Sequence, residues 1–132
     1  MKLQYVKAKK ILIVDPFDGI QEQETPSLAF DFSHNLTQDE DRYVCTTEVK
    51  VCSVLKSKTV TDDFMDTVFE SMLLKEEKDE QEEKAIYQES FNQVYFHIRI
   101  LLVSLMASAM LRPFLLPVNP PDLEKNVGLK TD

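Results

Sequence analysis

The chain has only two glycines, two cysteines and two histidines among its 132 residues. Phosphate-binding loops and dinucleotide-binding turns need several closely spaced glycines, so this shortage excludes both classes of motif, and no cofactor is expected. Cys45 and Cys52 lie an odd number of positions apart in a stretch rich in Val and Thr, which would place them on opposite faces of a strand. We therefore expect two reduced thiols and a reducing, cytoplasmic location. Because His34 and His97 are far apart and have no ligand-spaced partners, no metal site is predicted.

Basic residues are also in short supply. Lys and Arg number 15 against 23 Asp and Glu, for a formal net charge of -8. A nucleic-acid-binding surface needs clustered positive charge, so this balance argues against nucleic acid as a partner.

A long uninterrupted apolar run is missing as well. The most apolar stretch, 94–111, contains Arg99, and its unbroken part from Ile100 is shorter than the roughly 20 residues of a membrane-spanning helix. The sequence predicts a buried helix and no stable membrane insertion. The first residues are broken by Lys7, Lys9 and Lys10 and do not resemble a signal peptide.

Four stretches predict strands of an antiparallel sheet. Residues 3–14 are rich in β-branched side chains, with a bend or bulge near Lys9 and Lys10. Residues 28–32 alternate apolar and polar side chains, and 43–55 form the strongest strand pattern. Residues 67–74 could form a fourth strand or begin a helix, and their β-branched content favours the strand. The polar residues between 34 and 42 are expected to connect the second and third strands.

From Ala85 onwards, apolar side chains follow helical spacing, and after Ile98 the polar face of this helix is narrow. One sheet can cover only one side of a helix, so the pattern predicts a second copy of the chain on the other side. Pro113 should end the helix, and 122–125 can begin a short final helix before a mobile tail, 125–132. The fold class is α+β, with a single domain spanning 1–132. The predicted oligomer interface contains Ile98, Leu101, Leu102, Leu105, Met106, Met72 and Leu74.

The run from 75 to 84 is entirely charged or amide-bearing, with six acidic residues. Such a run is typically a solvated loop or helix start, and the alternative is an acidic docking patch. The acidic residues of that patch are Glu76, Glu77, Asp79, Glu80, Glu82 and Glu83.

No arrangement of residues predicts catalysis. A triad needs a nucleophile, a histidine and an acid in fixed positions, whereas His97 should pack in a core or interface and His34 should be solvated at a strand end. We expect no enzyme activity. The remaining distinctive feature is a set of aromatic and Met side chains that would either fill a core or form an adaptable binding surface, namely Phe30, Phe32, Met65, Phe69, Met72 and Phe114.

Three stretches resemble the SecB family of protein-export chaperones. Residues 7–16, KAKKILIVDP, resemble the family's first strand, and 28–54 resemble its second and third strands. Residues 96–123 resemble its aromatic- and Arg-containing helix, which is followed by a Pro-rich step, and LPVN at 116–119 is the sharpest match. The family's first strand carries an acid that helps dock the motor protein SecA, whereas this chain has Lys9 and Lys10 nearby.

The resemblance implies a four-stranded antiparallel sheet with two helices, assembled as a dimer of dimers, that is, a homotetramer. It implies an ATP-independent holdase that binds unfolded preproteins in an apolar groove during protein export. By matching position, the groove would contain Leu28, Phe30, Phe32, Phe114, Leu115 and Leu116. The resemblance also suggests SecA as a partner in export. The alternatives are a SecB-like chaperone dedicated to one partner, such as an antitoxin, and a non-chaperone assembly or adaptor subunit.

Overall fold

A computed structural model of the protein describes residues 1–13, 27–54, 63–79, 82–109 and 115–123. They form a four-stranded antiparallel sheet and one long helix, as the α+β prediction requires. The elements are β1 (Lys2–Ile13), β2 (Ser27–Gln38), β3 (Arg42–Val54), β4 (Asp63–Leu74) and α1 (Glu83–Ser108). The strand order is β1-β4-β3-β2, so β1 and β2 form the two edges. Residues 115–123 contain neither helix nor strand, and the rest of the predicted final helix and tail lies outside the described residues.

One face of the sheet carries the core because buried and exposed side chains alternate along the two central strands. On β3 and β4 the buried positions are Tyr43, Cys45, Thr47, Val49 and Val51, and Met65, Thr67, Phe69, Ser71 and Leu73. The intervening side chains point to the opposite face, which carries charged groups such as Glu48, Lys50 and Glu70. The buried face is therefore the surface of the sheet against which helix α1 can pack.

Two strand predictions are confirmed in detail. Residues 67–74 lie within β4, so their β-branched residues do form a strand. In β1 the pairing with β4 shifts register between Ala8 and Lys10, where the sequence predicts a bulge. The shift brings the Lys10 ammonium to 2.7 Å from the Asp66 carboxylate on the polar face of the sheet.

The end of β2 differs from the prediction. The strand continues through Gln38 and pairs with β3 along its whole length, leaving a short turn at 39–41 in place of the longer connection that was expected. The period-2 pattern that begins at Leu28 in fact continues through His34 and Leu36 on the core face. His34 interrupts the apolar pattern in the sequence, yet in the structure it is fully buried rather than solvated.

Helix α1 packs across the core face of the sheet along a buried stripe from Ile86 to Met106. The Gln93 side chain also donates a hydrogen bond of 3.2 Å to the Met1 carbonyl, which ties the helix to the start of β1. Within the described residues, no helix is long and apolar enough to cross a membrane.

Cys45 and Cys52 are both thiols, with Cys45 buried on the core face and Cys52 half-buried on the opposite face. Burial raises the pKa of the Cys45 thiol to about 11, so this thiol stays protonated and unreactive at neutral pH.

Candidate functional site

An aromatic cluster joins edge strand β2 to α1. The Phe32 ring lies 6.1 Å from the Phe91 ring and 5.9 Å from the Tyr95 ring, both in edge-to-face geometry. Phe30 stacks on Phe32 at 6.4 Å. Phe91 and Tyr95 are four residues apart, so one face of the helix presents both rings to alternate residues of the strand.

The aromatic cluster reaches the protein surface at the β2 edge. Phe32 is buried, whereas Phe30 and Leu28 are only partly buried although they pack against the core. Within the described residues, β2 pairs with β3 alone, so these side chains lie on an edge strand of the sheet. An edge of this kind can accept an extended peptide through both main-chain hydrogen bonds and apolar contacts.

The 115–123 segment returns along α1 and is held there by side chains of the helix. Gln88 is the first of these side chains. Its amide nitrogen donates to the Pro121 carbonyl at 3.1 Å and to Asn92 Oδ1 at 2.7 Å, and its oxygen accepts from the Leu123 N–H at 2.8 Å. All the hydrogen-bonding groups of this one amide are thus satisfied, which fixes its orientation.

Two further side chains hold the other end of the 115–123 segment. Arg99 Nε donates to the Leu116 carbonyl at 3.0 Å, and the Tyr95 hydroxyl donates to the Pro117 carbonyl. Burial raises the pKa of Tyr95 to about 12, so its hydroxyl keeps the proton that it donates. Because its ring also touches Phe32, Tyr95 links the aromatic cluster to the 115–123 segment.

Sequence reasoning did not identify these polar contacts. Gln88, Asn92, Tyr95 and Arg99 are spaced by four, three and four residues, which places them along one stripe of the helix. That spacing is visible in the sequence. It does not by itself indicate these contacts, because Tyr95 also fits the apolar periodicity and Arg99 also fits the narrow polar face.

The structure brings together some of the residues that the family resemblance assigns to a groove. Phe30 and Phe32 are in contact, and Leu116 is buried in the same core cluster as Phe32. Leu28 packs at the margin of that cluster, whereas Leu115 is 60% exposed. Phe114 lies outside the described residues.

His34 connects β2, β3 and α1 beneath the aromatic cluster. Its Nδ1 lies 2.8 Å from Thr47 Oγ1 and its Nε2 lies 3.0 Å from Ser90 Oγ, while its ring meets Tyr87 and Phe91 edge-to-face. The Ser90 hydroxyl donates its proton to the Tyr87 carbonyl, so it accepts from Nε2–H, and Nδ1 accepts from Thr47. The neutral imidazole is therefore satisfied on both nitrogens, and burial lowers the pKa of His34 to about 4.

The predicted interface residues fall into two groups. Ile98, Leu102 and Met106 are at most 1% exposed and lie within the core of a single chain, so a second copy could not reach them. Leu101, Leu105, Met72 and Leu74 remain exposed or half-exposed. His97, expected in a core or an interface, is exposed on α1 in the single chain.

From Phe96 to Ala107, the exposed side of α1 is mostly apolar and carries no Asp, Glu, Lys or Arg. Ile100 is 66% exposed, Phe96 50% and Leu101 37%. We call this surface the outer helix face, formed by Phe96, Ile100, Leu101, Ser104 and Ala107. Single exposed apolar residues are common, but a contiguous uncharged patch on a chain with 29% charged residues is typical of an interaction surface.

Some residues of the predicted acidic patch form ion pairs within the chain, whereas others are exposed. The Asp79 carboxylate contacts the Met1 ammonium group, and a Glu76 carboxylate oxygen lies 3.0 Å from the same group. Asp79 also accepts from the Tyr43 hydroxyl at 3.4 Å, and its pKa is lowered because contacts with the ammonium group outweigh the effect of burial. Glu77, Glu82 and Glu83 are exposed, and Glu80 lies outside the described residues.

Among the described residues, no group of three or more His, Cys, Asp or Glu side chains could hold a metal ion. The buried Ser90–His34 pair has the spacing of a nucleophile and a base, but both side chains are fully buried. A substrate could not reach this pair without separation of α1 from the sheet.

Comparisons with known proteins support the family resemblance at the level of fold. No family model matches the sequence, and no curated protein does either. Among solved structures, the chain is similar to the Mycobacterium tuberculosis Rv1957 SecB-like chaperone, solved in complex with a ChAD peptide from the Rv1956 HigA1 antitoxin. The two share 12% identity at a TM-score of 0.62 over 89% of this chain and 88% of that one.

A protein of unknown function from Streptococcus agalactiae is also similar, at 15% identity and a TM-score of 0.38, over 89% of this chain and 99% of that one. The assignment of a SecB-like fold rests on the first of these two similarities. The resemblance predicted from the sequence is thereby confirmed as a likeness of fold.

Proposed function

We propose that this protein, which has a SecB-like fold, is an ATP-independent holdase that binds unfolded polypeptides at the β2 edge. The observation that carries this proposal is the aromatic cluster, which is buried at Phe32, Phe91 and Tyr95 and reaches the surface at Phe30 on edge strand β2. Apolar client segments would be buried against Leu28 and Phe30, with main-chain pairing along the edge of β2. Neither interaction needs a nucleotide or a cofactor.

We further propose that the functional unit is a cytoplasmic homotetramer assembled through the outer helix face. Leu101, Leu105, Met72 and Leu74 remain candidates for contacts between subunits, and the outer helix face adds Phe96 and Ile100. Export of preproteins, with SecA as a partner, is the role that the family resemblance suggests.

A chaperone dedicated to one partner is the second candidate. It is favoured by one specific observation, since the M. tuberculosis SecB-like chaperone was solved with a peptide from an antitoxin. The two candidates differ in selectivity. A general holdase would protect many unrelated unfolded proteins, whereas a dedicated chaperone would protect its partner and ignore the others. A non-chaperone assembly or adaptor subunit would ignore them all.

We expect the protein to slow the aggregation of an unrelated denatured protein without nucleotide, and Phe30→Asp to weaken client binding. The substitution replaces an apolar contact with a charge that client side chains would have to desolvate, so we expect a loss of affinity of about tenfold or more. Light scattering of the client during dilution from denaturant measures protection, and a fluorescence titration measures affinity.

Ala29→Asp is the matched control, because it adds the same charge one residue away on the opposite face of β2. We expect this variant to bind clients as the wild type does. Equal affinity of Phe30→Asp and wild type, with both variants folded, would remove the β2 edge as the binding surface. A wild-type protein that leaves aggregation of unrelated clients unchanged contradicts the general holdase.

A further inference from the structure

The 115–123 segment is bound to α1 in the way that a protein binds a peptide ligand. Side chains of the helix hold main-chain atoms of the segment, namely the Leu116, Pro117 and Pro121 carbonyls and the Leu123 N–H. Every peptide carries carbonyls and nearly every residue carries an N–H, so these contacts do not depend on the sequence of the segment.

The 115–123 segment follows α1 without forming a helix or a strand, and it bends at Val118 and Asn119. Between Leu116 and Pro121 its partners change from Arg99 to Gln88, which is eleven helical positions or about 16 Å along the axis of α1. The segment therefore runs antiparallel to the helix. Its prolines have no N–H with which to join the edge of β2.

Two leucines supply the apolar contacts of the segment. Leu116 and Leu123 are each 3% exposed and belong to the same core cluster as Phe32 and Tyr95. Between them Val118 is 69% exposed, so it contributes little to the binding of the segment. The pattern is therefore two buried anchors, seven residues apart, on a segment whose other residues are exposed or half-exposed.

We propose that the 115–123 segment is an internal competitor that occupies part of the client site until an unfolded polypeptide displaces it. The ligand class is an extended polypeptide with two apolar side chains spaced like Leu116 and Leu123. Gln88, Tyr95 and Arg99 would then bind main-chain carbonyls of the client instead of those of the segment. This inference rests on the proposed holdase function and adds a regulatory contact to the same site.

The competition has a consequence for affinity. A client binds only the fraction of molecules in which the segment is released, so its apparent affinity is reduced by that fraction. A substitution that weakens only the segment should therefore tighten client binding. If the segment were instead a fixed wall of the groove, the same substitution would weaken client binding.

The test is a pair of substitutions in the full-length protein, titrated with a permanently unfolded, reduced and carboxymethylated protein as the client. We expect Leu123→Ala to tighten client binding by about three- to tenfold, because an anchor is lost and the released fraction rises. Val118→Ala is the matched control in the same segment and should leave affinity unchanged, because Val118 is exposed. Unchanged or weaker binding by a folded Leu123→Ala variant overturns the inference.

A second measurement uses the wild-type protein, so it does not depend on the stability of a variant. The Leu123 amide is hydrogen-bonded to Gln88, and hydrogen exchange can follow this amide with and without the unfolded client. We expect the client to remove its protection. Continued protection at saturating client shows that the segment stays in place and contradicts displacement.

A third variant tests whether clients use the same helix side chains as the segment. In the Leu123→Ala background the segment competes poorly, so Gln88→Ala should weaken client binding about threefold or more. No loss of affinity in this double variant contradicts a shared set of contacts.

The outcomes separate this inference from the function on which it rests. If neither wild type nor Leu123→Ala binds the unfolded client, the holdase proposal fails. A different result would reject the internal competitor and leave the holdase proposal in place. In that case wild type binds the client, Leu123→Ala binds it no more tightly, and the Leu123 amide stays protected.

Discussion

Lowering the pH from 7 to 4 is expected to reduce the free energy of unfolding by about 3 kcal/mol through His34 alone. The pKa of His34 is about 4 in the folded protein and about 6.5 in the unfolded chain. Between these values the unfolded chain binds the extra proton and the folded protein does not. Stability is therefore full above pH 6.5 and is lost as the pH falls towards 4.

The physical cause is the environment of the imidazole between β2, β3 and α1. Its two nitrogens face the Thr47 and Ser90 hydroxyls, and its ring faces Tyr87 and Phe91. These groups satisfy a neutral ring but provide no negative charge for an imidazolium. Protonation would place a positive charge in a fully buried site, and the protein avoids this cost by keeping the ring neutral.

His34→Gln is the control, because glutamine can hydrogen-bond to both hydroxyls but does not titrate. Urea unfolding at pH 7 and pH 4 measures both proteins, and the carboxylates of the chain contribute to both alike. We expect the wild type to lose about 3 kcal/mol more than the variant over this pH range. Equal losses would show that His34 titrates normally in the folded protein.

Ile100→Asp is expected to dissociate the proposed homotetramer into smaller species. Ile100 is the most exposed apolar side chain of the outer helix face, at 66%, and a second copy would bury it. An aspartate in the same place would have to lose its hydration without a partner, which costs several kcal/mol at each interface. Sedimentation or light scattering on a sizing column measures the change in mass.

The matched control is Asn35→Asp, which adds the same charge at an exposed position of β2 on the opposite face of the sheet. We expect Asn35→Asp to keep the mass of the wild type. Retention of the full assembly by a folded Ile100→Asp variant would show that the outer helix face is not an interface between copies.

The predictions for His34 and Ile100 concern opposite sides of α1. The different surroundings of these two sides account for the composition of the helix. One side carries the buried stripe and His34's partner Ser90, and the other side is mostly apolar from Phe96 to Ala107. Sequence periodicity alone predicts that such a helix is covered on both sides. It does not say which residues face the sheet of the same chain, and for this reason Ile98, Leu102 and Met106 were assigned to an oligomer interface.

Local sequence patterns predicted the sheet well. The β-branched residues of β4 and the lysine-rich bulge of β1 are local signals, and the structure confirms both. Both features could be predicted because strand alternation and bulges depend on residues that lie close together in the chain.

Contacts between distant residues were the part that could not be predicted. His34 is buried because Thr47 and Ser90 satisfy it, and these residues lie on two other elements. The contacts of Tyr95 and Arg99 with 115–123 likewise depend on the return of the chain along α1. A single sequence shows which side chains are polar, but not whether a distant partner makes their burial favourable.

The most direct test of the central claim is light scattering on a sizing column, with the protein alone and with one client protein in unfolded and folded form. We predict a species of about 61 kDa for four copies of the 15.3 kDa chain, which elutes together with the unfolded client and not with the folded one. A monomer would contradict the assembly through the outer helix face. A tetramer that elutes separately from the unfolded client would contradict the holdase function.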